Sequence, residues 1–237
     1  MKNILSLIVG LAAIGLASSE AATIYTDGTG ETINSASGTI DFVGAEVTNT
    51  STDLVISLKV DGSVGATDWG KFMVGIATTK SLGTTSGNGW ARPINLTAPG
   101  GYGMDFWIGA WVDGGGGSQL WKYNAGAWNN IGNANQQIGT YATGKSLLTY
   151  TLSLSTLGVA VGDTIYFDAY SSGGGGTDGA IDALAKSSQS IANWGDSYTS
   201  SGSNLNSYSL VPEPSSSLLM GLGLAGLAVL RCTRKNA

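Results

Sequence analysis

The chain has 237 residues, 37 of them glycine, with no histidine, one cysteine and a formal net charge of −5. The lack of histidine removes Ser-His-Asp and Cys-His catalysis and His-ligated zinc or haem, and leaves carboxylate chemistry and oxygen-ligated calcium open. Between Ala22 and Val211 stand 7 basic and 14 acidic side chains, so no basic surface is dense enough to hold nucleic acid.

The opening, MKNILSLIVGLAAIGLASSEAA, sets Lys2 before an apolar run, Ile4–Ala17, that is short for a membrane span. Ser19-Glu20-Ala21 presents small residues at the recognition positions of a signal peptidase, so cleavage is expected near Ala21, with Ala22 the next choice. A retained N-terminal anchor is the alternative. Residues 1–21 therefore read as a signal peptide and 22–210 as one exported domain. The single cysteine, Cys232, lies outside it, so the domain holds no disulfide although its compartment permits one.

Gly38–Asn49 reads as a strand or bent pair, and Thr52–Val60 alternates with Leu54, Ile56, Leu58 and Val60 on one face. The Asn49–Thr52 turn between them predicts a hairpin. Lys71–Ala77 is a further strand, with Phe72, Val74 and Ile76 on one face. Ser81–Gly103 is rich in glycine and proline and reads as loop. Met104–Asp113 is a strong strand, with a return strand expected at Gln119–Tyr123. Strands are also expected at Leu147–Leu154 and Asp163–Tyr170, with a helical turn or loop at Leu154–Gly162. Asp182–Ala192 is the one expected helix of the domain.

Strands at this density predict an all-β fold, an antiparallel, jelly-roll-like β-sandwich, followed by a short C-terminal transmembrane sorting helix. Leu54, Ile56, Leu58, Phe72, Val74, Ile76, Phe106, Ile108, Leu152, Ile165 and Phe167 are expected in its core. The stretches VTNTSTDLVISLKVDG, WGKFMVGIAT and GMDFWIGAWVDG resemble, as patterns, the DOMON-like and family 9 carbohydrate-binding sandwiches.

In Met104–Asp113, alternation puts Asp105, Trp107, Gly109, Trp111 and Asp113 opposite the core face. Asp105, Trp107, Trp111 and Asp113 are the candidate carbohydrate-binding set: indoles stack on sugar C–H faces and carboxylates accept hydroxyl hydrogen bonds. The competing reading is a second buried face under a loop or the other sheet. Trp69, Trp90, Trp121 and Trp128 widen the aromatic pool. Gly173–Asp178 has the Gly-Gly-x-Gly-x-Asp form of a calcium repeat, but occurs once. Calcium on Asp178 and Asp182 is one reading of that segment, and a loop with solvated aspartates the other; no other cofactor is expected. Asp105, Asp113 and Asp168 are the carboxylates from which a glycosidase would draw its pair, and neither Glu31 nor Glu46 has a recognisable catalytic setting. No catalytic residue is assigned.

The chain closes with VPEPSSSLLMGLGLAGLAVLRCTRKNA. Pro212, Glu213 and Pro214 precede the uncharged Leu218–Leu230, and Arg231, Arg234 and Lys235 follow it. Thirteen residues are few for a permanent span, and the basic tip should stay cytoplasmic. An ordinary tail anchor is the plain alternative. Residues 211–237 resemble the PEP-CTERM sorting signal of exopolysaccharide-producing bacteria, although the basic tip is interrupted by Cys232 and Thr233. The resemblance implies recognition by exosortase, a membrane transpeptidase-like enzyme, and transient anchoring in the inner membrane. It further implies release to the cell surface or extracellular matrix of a Gram-negative-type bacterium. The expected protein is exported and non-catalytic, with exopolysaccharide as the candidate ligand of its aromatic face. A structural or adhesive protein without a sugar site, and a carboxylate-dependent glycoside hydrolase, are the alternatives.

Overall fold

Apolar side chains at every second position decide the central strands, because a strand turns successive residues to opposite faces. A computed structural model describes residues 22–33, 38–67 and 69–212. The strands are β1 (Thr23–Thr26), β2 (Phe42–Asn49), β3 (Asp53–Val60), β4 (Lys71–Ala77), β5 (Ile94–Thr97), β6 (Phe106–Trp111) and β7 (Gly117–Asn124). They continue as β8 (Ala127–Gly132), β9 (Gln137–Ala142), β10 (Lys145–Ser153), β11 (Thr164–Ser172), β12 (Asp182–Ala183), β13 (Tyr198–Ser201) and β14 (Asn206–Ser209). One helical turn, α1 (Leu154–Leu157), links β10 to β11 and ends at Gly158, whose φ of 70° suits glycine.

Two antiparallel sheets face each other. The first runs β1-β2-β3-β10-β9, and the second β12-β11-β4-β6-β7-β8. β14 pairs with Thr164–Phe167 of β11, on the same edge where β12 pairs with Tyr170 and Ser171. All eleven side chains expected in the core are buried. Rings meet across the interior: Tyr25 and Phe167 lie edge to face at 5.1 Å, and Phe42 and Phe72 pack tilted at 6.2 Å. This is the all-β sandwich that the alternation predicts.

A third layer does not follow from the alternation. β5 and β13 form a small parallel sheet over the outer face of the second sheet. It buries Ile94, Leu96, Tyr198 and Ser200. The expected helix over Asp182–Ala192 is absent as well. Asp182 and Ala183 pair with β11 instead, and Ile181, Ala183 and Leu184 are buried there. Beyond them Ser190 Oγ donates to the Ala180 carbonyl at 2.5 Å and Gln189 to that of Ile191 at 2.6 Å. Side-chain bonds to nearby backbone, together with a free sheet edge, outcompete a weak helix. Among the described residues no helix is long and apolar enough to cross a membrane, and the expected sorting helix lies outside them, as does the signal peptide.

Candidate functional site

The candidate aromatic face on β6 is mostly covered. Trp107 is fully buried and stacks on Tyr170 at 5.9 Å, and Tyr170 in turn meets Tyr198 of the third layer at 6.1 Å. Asp105 is buried too: it accepts the Thr78 backbone N–H at 3.0 Å, the Thr78 hydroxyl, and the Ser81 hydroxyl at 3.3 Å. Burial pushes its carboxyl above the usual range against those bonds. Asp113 is exposed but ion-paired to Lys71 at 2.9 Å, which holds its carboxyl below the usual range. An open platform of Asp105, Trp107, Trp111 and Asp113 is therefore corrected to a covered face from which only Trp111 and Asp113 reach the surface.

What covers the face is Trp90, seated over Gly109, where a Cβ would overlap its ring. Trp90 Nε1 donates to Gln119 Oε1 at 2.8 Å, an oxygen shared with Trp121 Nε1 at 3.1 Å. Trp111 lies beyond, its ring centroid 6.5 Å from that of Trp90. It forms one wall of an open cleft of about 400 Å³ completed by Gly117, Ser118, Asn133, Asn135 and Gln136. Gly117 admits the edge of the Trp111 indole, and Gln136 Nε2 donates to the Trp111 carbonyl at 3.4 Å. Gln136 Oε1 is buried with no hydrogen-bond partner. The amides come from the Asn133–Gln136 link between β8 and β9, polar residues that sequence reading passes over because no pattern marks them. Elsewhere Tyr123 packs on Trp128 at 5.4 Å, and Trp69 on the exposed Trp194 at 6.0 Å.

Asp178 and Asp182 turn to different partners. Asp178 accepts the Gly175 N–H at 2.9 Å and closes the glycine loop, whose Gly173 and Asp178 carbonyls accept from the buried Arg92 at 3.1 Å each. Burial pulls the Arg92 guanidinium below its ordinary value, and the Asp178 charge works against that. Asp182 is buried and accepts the N–H of Phe42 at 2.6 Å and of Ala183 at 2.7 Å. Its other neighbours are Asp27 and Glu31, each with a carboxylate oxygen within 4.8 Å of the others. Burial, with adjacent negative charge, pushes Asp27 up to about 9 and Asp182 to about 8. Asp41 rises to about 6, chiefly by burial, with Glu31 and Asp61 adding to it. The pairing of Asp178 with Asp182 is thus replaced by a group centred on Asp182. Its sequence trace is the acidic, glycine-spaced Asp27-Gly28-Thr29-Gly30-Glu31.

The last carboxylate, Asp168, is fully buried beneath β13. It accepts from the Ser200 hydroxyl and from the N–H groups of Ala169 and Ala185 at 2.8 and 2.9 Å. Burial raises it to about 7 in spite of those bonds.

At the end of the described residues Val211 is held by Asn49, which accepts its N–H at 2.9 Å and donates to its carbonyl at 2.9 Å. Pro212 is exposed, and Glu213, Pro214, Arg231, Arg234 and Lys235 lie outside the described residues. No curated protein and no solved structure matches the chain. The family model of the PEP-CTERM protein-sorting motif matches residues 210–235, from the last residues of the domain to the basic tip. The chain thus carries a PEP-CTERM sorting signal, which marks an exported protein and implies processing by an exosortase.

Proposed function

We propose that this exported protein is a non-catalytic component of the cell surface or polysaccharide matrix, which binds extended polysaccharide weakly in the Trp111 cleft. The observation that carries the reading is the lining itself: one indole beside Ser118, Asn133, Asn135 and Gln136, with Gln136 Oε1 left without a donor. An indole offers a face to sugar C–H groups, while amides and a hydroxyl match sugar hydroxyls as donors or acceptors. A sugar hydroxyl donating to Gln136 Oε1 would satisfy that buried acceptor.

The same lining supports a binding role over hydrolysis. Glycoside hydrolysis takes two carboxyl groups flanking one bond, and the cleft wall contains none. Asp105 and Asp168 are buried against interior donors. A single shallow site binds weakly, and many copies displayed on one matrix convert that into firm attachment.

Affinity electrophoresis through gels containing bacterial exopolysaccharide tests the reading. The parent should be retarded, and Trp111→Ala and Gln136→Ala should run freely with unchanged circular dichroism. Retardation that survives Trp111→Ala but vanishes in Trp69→Ala would move the site to the Trp69–Trp194 pair. No retardation by any glycan would leave the adhesive reading, which the exposed Ile131 and Ile138 on the outermost strands β8 and β9 favour.

A further inference from the structure

The carboxylates around Asp182 are out of balance. Asp27 and Glu31 come from the turn after β1, Asp41 immediately precedes β2, and Asp182 opens β12 on the edge of the other sheet. Asp41 is only 3 % exposed; its Oδ2 accepts the Gly30 N–H at 2.7 Å, and its Oδ1 is buried without a partner. Asp27 Oδ2 and Glu31 Oε1 are buried and unpartnered as well. Asp41 is held beside the group, because the next residue, Phe42, donates its N–H to Asp182 and the Asp41 charge acts on Asp182. Among the described residues every lysine in an ion pair is engaged elsewhere, with Glu46, Asp61, Asp113 or Asp163. Facing carboxylates are held together by a shared proton or by a cation. A proton shared by Asp27 and Glu31 would still leave Asp41 Oδ1 with nothing.

We propose that Asp27, Glu31 and Asp182 form a calcium site, with the unpaired Asp41 Oδ1 beside it. Oxygens on opposite sides of a calcium ion, at 2.3–2.6 Å each, stand up to about 5 Å apart, and the oxygens of Asp27, Glu31 and Asp182 lie within 4.8 Å of one another. The donors are all hard oxygens, which suit calcium or magnesium better than zinc or copper. Calcium accepts irregular sets of 6–8 oxygens, whereas magnesium holds to a near-ideal octahedron and keeps its waters. The protein is exported, and extracellular modules bind calcium at about 10⁻⁴–10⁻³ M. Bound there, the ion joins the β1–β2 end of the first sheet to the β12 edge of the second. It serves as a cross-link in a domain that has no disulfide.

The test uses the full chain, purified in detergent and stripped with EDTA. Calorimetric titration with CaCl₂ should show one ion per chain, and Tm should rise in calcium relative to EGTA. Glu31→Gln and Asp27→Asn should each weaken the Kd by about tenfold or more. In EGTA their Tm should equal or exceed that of the parent, since each removes one repelling charge. Asp178→Asn should bind as the parent does. Terbium on the unsubstituted chain should luminesce and be displaced by calcium, a reading independent of any variant. The proposal is overturned by any of three results: no binding up to about 10 mM, parental affinity in both ligand variants, or loss of the ion in Asp178→Asn.

Discussion

Gly109 carries no side chain, and that vacancy is filled by Trp90 of the same chain. Asn88 sets the indole there: its Oδ1 accepts the N–H of Trp90 at 3.0 Å and of Arg92 at 3.2 Å, while its Nδ2 donates to the Arg92 and Ile94 carbonyls at 2.9 Å each. The Arg92 guanidinium lies 5.6 Å from the Trp90 ring. Gly109→Ala would drive Trp90 off this seat, at a cost of ~1–3 kcal/mol in urea unfolding, as overpacking of a filled interior does. In a background of Trp90→Ala the same change should cost almost nothing, because the clash has no second partner. Equal costs in both backgrounds would reject the seat. The low surface at Gly109 was legible in the sequence. Its occupant was not, because Trp90 stands 19 positions away in a segment without periodicity.

At the scale of elements, the strands that face the interior announced themselves and the short ones did not. β3, β4, β6, β10 and β11 run for six to nine residues with ends near the expected bounds. β3 and β10 alternate between buried and half-buried residues, while β4, β6 and most of β11 are buried on both faces. β5, β12, β13 and β14 are two to four residues long and their pairing depends on distant partners. β13 and β14 lie in stretches rich in Ser, Thr and Asn, and β12 in an alanine-rich one. No local signal distinguishes such a strand from a loop, so the face that the third layer covers was equally readable as open. That layer is fastened by Ser200 of β13, which donates to Asp168 of β11 and lies 2.9 Å from the Tyr170 hydroxyl. Asp168 titrates at about 7 when folded against 3.8 as a free carboxyl. Between those values the folded chain retains a proton that the unfolded chain has released. The stabilisation is therefore complete at acidic pH and lost as pH rises through 7. Unfolding midpoints measured at constant calcium should fall across that interval, and Asp168→Asn should flatten the fall. A parent and variant with the same pH slope would show that Asp168 does not titrate in this way.

For the whole molecule, the first and last strands of the domain are tied together. The Tyr25 hydroxyl of β1 donates to the Ser207 carbonyl of β14 at 2.6 Å, and the Tyr208 hydroxyl donates to Asn49 Oδ1 at 2.8 Å. Asn49 begins an Asn-Thr-Ser sequon yet is fully buried, its amide committed to Tyr208, Val211 and the Thr50 carbonyl. Asn49→Ala should leave these groups unpaired, at a cost on the order of 2 kcal/mol, and should speed limited proteolysis next to Val211. Unchanged proteolysis would mean that Asn49 does not close this end.

That closure determines how the domain meets force. Tension entering from the sorting segment through Pro212 arrives first at the Asn49 amide, which grips Val211 by both of its backbone groups. It passes next to β14, whose residues Asn206–Ser209 lie alongside Thr164–Phe167 in antiparallel register. A pull along the strand axis shears these bonds together instead of peeling them singly. The domain should therefore begin to unravel from its C-terminal end only when the whole of β14 slips at once.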